Sequence, residues 1–121
     1  MKDSELIKQP VTFSVSIVEY YKWLVYDKKE FVMSKQILRS RTSIGANIHE
    51  AQYAISKADF INKIHISLKE ASETEYWLVV LDQTGYLTKE YDNLKIKCTS
   101  LKKMLISTLN TLKKDNRPDN R

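Results

Sequence analysis

Glycine and proline are almost missing from this chain: 121 residues hold two of each, Gly45 and Gly85, Pro10 and Pro118. That scarcity argues against the glycine-demanding turns of β-sandwiches. It also excludes the glycine-rich loops that cradle phosphates in nucleotide-binding folds. The single cysteine, Cys98, cannot close an internal disulfide, so nothing points to an oxidising compartment. His49 and His65 are the only histidines, and neither follows a glutamate at the three-residue spacing that di-metal helix bundles use. No metal and no cofactor is expected. The longest plain apolar run, 77–81, is far too short to span a membrane. Lys2 is followed by Asp3, Ser4 and Glu5 rather than an apolar stretch, so no signal peptide is expected and a cytoplasmic location is.

What remains is rich in Lys, Leu, Ile and Glu, a composition that sustains long helices. Residues 1–10 read as a frayed lead-in ending at Pro10. Val11, Phe13, Val15 and Ile17 alternate like a strand, but from Ile17 the spacing becomes three and four through Tyr20, Tyr21, Leu24 and Val25. A lone strand in a helical chain would leave its backbone groups unpaired, so a helix over 12–26 is expected. A second helix over 32–55 carries Ile37, Ile44, Ile48, Ala51 and Ile55, with Arg41 in the slot between the first two. Ser56, with Asp59 three residues on, caps a third helix over 57–83, which Gly85 stops. Thr88 is expected to cap a fourth helix over 88–114, whose stripe runs Leu87, Tyr91, Leu94, Cys98, Leu101, Leu105, Thr108 and Leu112. The polar tail over 115–121 is expected to be disordered. One all-α domain, an up-and-down antiparallel four-helix bundle spanning 1–121, follows from the short connectors.

If the second and third helices turn around Ser56, facing residue numbers sum to roughly 112, which pairs Ile44 with Leu68 and Ile48 with Ile64. The same register sets Arg41 beside Glu75, two charges that interrupt apolar stripes. A structural ion pair that penalises other registers is expected there, in preference to a phosphate contact or a catalytic acid. Gly45 is expected to permit close approach of another backbone. Asn47, Glu50 and His65 fall together, and a polar network fixing the hairpin is the reading preferred over a ligand pocket. Cys98, on the cleanest apolar stripe, reads as an inert buried thiol.

Two surfaces suggest partners. Ile66, Tyr76, Trp77 and Val80 form a second apolar stripe on the third helix, expected to be an oligomer interface. Residues 95–121 hold eight cations against two carboxylates, a net +6 within a chain of net +5, so the rest sums to −1. Lys95, Lys102, Lys103, Lys113 and Lys114 are the residues expected to meet nucleic acid.

Several blocks carry a family resemblance. These are Gln36-Ile37-Leu38-Arg39-Ser40, Thr42-Ser43-Ile44-Gly45-Ala46-Asn47-Ile48-His49-Glu50-Ala51, Ser56-Lys57-Ala58-Asp59-Phe60 and Lys69-Glu70-Ala71-Ser72-Glu73-Thr74-Glu75-Tyr76-Trp77-Leu78. Together they resemble the bacterial four helix bundle protein family. That family includes proteins encoded in intervening sequences of large-subunit ribosomal RNA genes, and is related to the accessory variability determinants of diversity-generating retroelements. The resemblance implies a ring-like homopentamer and, in the retroelement branch, a basic surface that engages nucleic acid and a reverse transcriptase. The function expected is a non-enzymatic oligomeric bundle that binds RNA or a nucleoprotein partner. The alternative is a scaffolding oligomer with no nucleic-acid role. No small-molecule substrate is evident.

Overall fold

The computed structural model describes residues 4–114, so the expectation of a disordered tail over 115–121 lies outside the described residues. The chain is an all-α bundle of four helices, α1 (Ser4–Lys22), α2 (Met33–Ala51), α3 (Lys57–Gln83) and α4 (Asn93–Lys114), with no strand among the described residues. Consecutive helices pack against each other and α4 closes back onto α1. The core holds Phe13, Ile17 and Tyr20 from α1 and Ile37, Ile44 and Ile48 from α2. From α3 come Phe60, Ile64 and Leu78, and from α4 Leu94, Cys98, Leu101 and Leu105.

The first helix starts at Ser4, not near residue 12, and Pro10 lies inside it rather than ending a lead-in. Leu6 is completely buried. Full burial of a leucine contributes about 1.5–3 kcal/mol, and a proline in a helix interior costs about 3 kcal/mol. The two roughly offset, so the early turns stay in the bundle. Residues 11–17 are helical throughout. Their alternation arises because two faces of one helix are apolar: Phe13, Ile17 and Tyr20 face the core, while Val11 and Val15 are exposed on another side.

A π-helical turn, Trp23–Asp27, ends α1, and Lys29 then takes a left-handed φ of 55° to reverse the chain. At the other end of α2, the helix stops at Ala51 rather than 55. The amides of Gln52, Tyr53 and Ala54 each bond three residues back, tightening the last turn. Ile55 is highly exposed and gives its amide to Asp59 Oδ2, so nothing holds it in the helix. Ser56 caps α3, its hydroxyl accepting from the Asp59 amide at 3.0 Å. Gly85 sits just past the end of α3 with φ 86°, a conformation costly for other residues. The fourth helix begins at Asn93. Thr88 makes no side-chain cap and instead precedes a short 3-10 turn, Lys89–Tyr91. That turn brings the Tyr91 ring onto Tyr20 and Trp23, at centroid distances of 5.0 and 5.1 Å.

The α2–α3 contact is built on hydroxyls. The buried stripe of α3 is Phe60, Ile64, Ser67, Ala71, Thr74, Leu78 and Leu81, alternating steps of four and three. On α2 it includes Ser34 and Ser40 beside Ile37 and Ile44. Ser67 Oγ donates to the Ile44 carbonyl at 3.0 Å, side chain to backbone across the interface. Ser40 Oγ and Thr74 Oγ1 meet at 2.7 Å, where either hydroxyl can donate, and each also has a carbonyl of its own helix within reach, Ile37 O at 3.3 Å and Glu70 O at 2.9 Å. These pairs, and Glu50 with Lys63, all have residue numbers that sum close to 112. The register holds, but the close approach expected of Gly45 belongs to serine and threonine. A Cβ placed on Gly45 would meet only Ser14 Oγ, at 3.9 Å.

Candidate functional site

The expected Arg41–Glu75 ion pair is not made. Glu75 accepts from Lys102 of α4 at 2.9 Å. Arg41 lies one residue past Ser40 and is therefore turned about 100° around α2, away from α3 and toward α1. At this level the ion pairing between α2 and α3 is made by Arg39, which reaches Glu70 at 3.3 Å and also Glu73. The Arg39 hydrogen bond holds the Glu73 carboxyl below the usual carboxylate range.

The polar network expected of Gly45, Asn47, Glu50 and His65 is also absent. Asn47 Nδ2 donates to the Ser43 carbonyl of its own helix at 2.8 Å, and Glu50 pairs with Lys63 at 2.9 Å. His65 is exposed, and Gly45 faces α1. The residues share a level in the bundle but point in different directions. Among the described residues no group of three or more His, Cys, Asp or Glu is arranged to hold a metal ion.

A trough of about 980 Å³, open along its length, separates the outer faces of α1 and α2. Ile7, Val11, Val15 and Val18 line it from α1, and Gly45, His49 and Tyr53 from α2 and its end. Val11 is 60% and Tyr53 75% exposed, so this apolar surface meets solvent. Arg41 sits within it, its Nε buried and without a hydrogen-bond partner. Burial lowers the Arg41 pKa from its ordinary value. Sequence reading missed this trough. Its signal was the strand-like alternation at 11–17, which on a helix means two apolar faces rather than one.

On α3, Ile66 and Tyr76 are exposed, while Trp77 and Val80 are half-buried. Trp77 packs on the core edge, donates to Glu73 at 3.4 Å, and meets the Tyr76 ring edge-on at 5.2 Å.

The fourth helix carries Lys95, Lys97, Lys102, Lys103, Lys113 and Lys114 and no carboxylate at all. Three of these lysines tie it to the bundle: Lys95 to Asp82 and Lys102 to Glu75, each at 2.9 Å, and Lys97 to Ser16 Oγ at 2.9 Å. Among the described residues Lys103, Lys113 and Lys114 have no acidic partner, and all three are exposed. Ser107, Asn110 and Thr111 lie exposed between them, with Ile106 at the same shallow hollow. Of the five lysines expected to meet nucleic acid, Lys95 and Lys102 brace the helix, and Lys103, Lys113 and Lys114 have no acidic partner among the described residues.

No helix among the described residues is long and apolar enough to cross a membrane. Comparison with curated proteins finds no match. One solved structure is similar over nearly the whole chain: a protein of unknown function from the S23 ribosomal protein family of Bacteroides thetaiotaomicron. It is 56% identical, with a TM-score of 0.86, covering 91% of this chain and 99% of that one. Residues 2–107 match the family described as 23S rRNA-intervening sequence protein. The chain belongs to the 23S rRNA-intervening sequence protein family.

Proposed function

We propose that this protein is a non-catalytic, self-associating bundle that binds RNA through the outer face of α4. The observation that carries the reading is the composition of that helix: six lysines, no carboxylate, and an exposed strip of Lys103, Ser107, Asn110, Thr111 and Lys114. Lysines with interleaved hydroxyl and amide side chains suit phosphate oxygens, and such contacts read backbone rather than base sequence. Membership in a family named for 23S rRNA makes RNA the polyanion to test first. Self-association is supported by the exposed apolar residues of α1 and α2, among them Ile7, Val11, Val15 and Tyr53, and by exposed Ile66 and Tyr76 on α3.

An electrophoretic shift titration with structured RNA, repeated across a salt series, tests the nucleic-acid part. Affinity should fall steeply with salt, because each neutralised phosphate releases counterions. Replacing Lys103, Lys113 and Lys114 by Gln should flatten the salt slope by about one for each phosphate that is no longer neutralised. Absence of binding even at low salt leaves the second reading, a scaffolding oligomer with no nucleic-acid role, which the apolar trough favours on its own.

A further inference from the structure

The trough between α1 and α2 has the outline of a seat for a helix. It runs along α1 from Ile7 to Lys22, about 22 Å at 1.5 Å per residue. Its sides are two antiparallel helices, its walls are apolar, and it stays open to solvent along one side. A small ligand in an open trough would keep a wet flank, whereas ligand sites usually enclose most of their occupant. A third helix laid into the seam would bury its own apolar face against both walls, the common helix-in-groove mode.

The occupant's charge is also set. Arg41 and Lys22 face Glu19 along the trough, a net positive balance. Arg41 Nε is buried yet unpartnered, and leaving a buried charged donor unpaired is costly. The missing helix should bring apolar side chains and a carboxylate.

We propose that this occupant is α3 of a second copy of the chain, docked through Ile66, Tyr76, Trp77 and Val80, with Glu70 or Glu73 reaching Arg41. The assignment rests on the self-association reading above and names its two surfaces. Ile66 to Val80 spans about 21 Å, matching the trough. Glu73 stands in the middle of that stripe. Arg39 already holds both glutamates, but a carboxylate has about four lone-pair sites and accepts a second guanidinium. Trough and stripe are different surfaces of one chain, so the contact is heterologous, the kind that closes into a ring or extends as a filament.

Sedimentation velocity on the full chain, free of nucleic acid, tests this with two double variants. One carries Val11→Lys and Val15→Lys in the trough, the other Ile66→Lys and Tyr76→Lys on the stripe. All four positions are exposed, so circular dichroism should match wild type. Each variant alone should be monomeric. Mixed in equal amounts they should form a dimer and stop there, since only one intact trough and one intact stripe can meet. Arg41→Met should weaken wild-type assembly by roughly thirtyfold or more, as loss of one partner of a buried charge pair does. Tighter assembly of Arg41→Met would mean that no carboxylate reaches the guanidinium, and overturns the docking. Monomeric variants that fail to dimerise on mixing overturn it too. A wild-type oligomer that survives the trough lysines sinks the docking and leaves self-association standing. A wild-type chain that stays monomeric at every concentration removes both.

Discussion

Gly45 shows how a single residue's part is set by direction rather than by level. It lies in the middle of a helix, where glycine costs up to about 1 kcal/mol against alanine. Its Cβ position is open apart from Ser14 Oγ at 3.9 Å, an ordinary contact. Gly45→Ala should therefore raise the thermal midpoint, by about 4 °C for a gain near 1 kcal/mol in a chain of this size. A lowered midpoint at fixed protein concentration would show that α1, or a helix docked in the trough, approaches closer than the open Cβ position allows. The same distinction explains Arg41 and His65. Antiparallel pairing of α2 with α3 was legible from residue numbers alone, because apolar residues met at each level. Direction around the helix was not, because Ser40, Ser67 and Thr74 occupy core positions that a polarity pattern assigns to the surface. With those hydroxyls read as gaps, the stripe slid by one residue onto Arg41 and Glu75. Small hydroxyl side chains are compatible with a core when their hydrogen bonds stay inside it, and here each one is satisfied across the interface or within its own helix.

At the scale of elements, helix ends that depend on a local signal were legible, and ends that depend on tertiary contacts were not. Ser56 with Asp59, and Gly85, mark their boundaries by side-chain chemistry and backbone freedom that the sequence states directly. The start of α1 depends on Leu6 finding the core, and the start of α4 on Tyr91 finding Tyr20 and Trp23. Neither partner is local. The start of α2 is a third case, since its cap lies outside the helix. Glu30 Oε2 accepts from the amides of Val32 at 3.2 Å and Met33 at 3.1 Å, and Oε1 from Ser34 at 2.7 Å. The Ser34 hydroxyl returns a bond to the Glu30 carbonyl at 2.8 Å. One carboxylate thus satisfies three otherwise unpaired donors and sits at the positive end of the helix dipole. Glu30→Ala should lower the unfolding free energy by about 1–2 kcal/mol, the upper part of the range for helix caps. Urea unfolding measures it, and a change within a few tenths would show that water serves those amides equally well.

Across the whole molecule, the bundle assigns its faces to separate helices: an apolar trough on α1 and α2, an aromatic stripe on α3, a carboxylate-free basic face on α4. All depend on the same core, and two buried acids tie that core to pH. Cys98 on α4 is completely buried, donates weakly to the Ala71 carbonyl of α3 at 3.5 Å, and has its thiol pKa pushed by burial from 9.0 up to about 12. Tyr20 on α1 is likewise buried, donates to the Tyr86 carbonyl at 2.7 Å, and burial raises its phenol above the ordinary range. Both groups hold their protons more tightly folded than unfolded. Their contribution is thus complete below the unfolded pKa and declines as pH rises toward the folded one. Stability should stay level up to about pH 8 as far as these groups are concerned, and then fall. Above about pH 9 Cys98 alone sets a slope approaching 1.4 kcal/mol per pH unit, which steepens past about pH 10 when unfolded tyrosine also ionises. Cys98→Ala should be less stable at neutral pH, because the packing of the sulfur is gone, yet flatter between about pH 9 and 10. Urea unfolding of both proteins across that interval separates the two effects, and parallel curves would mean that the thiol opens to solvent without unfolding the bundle.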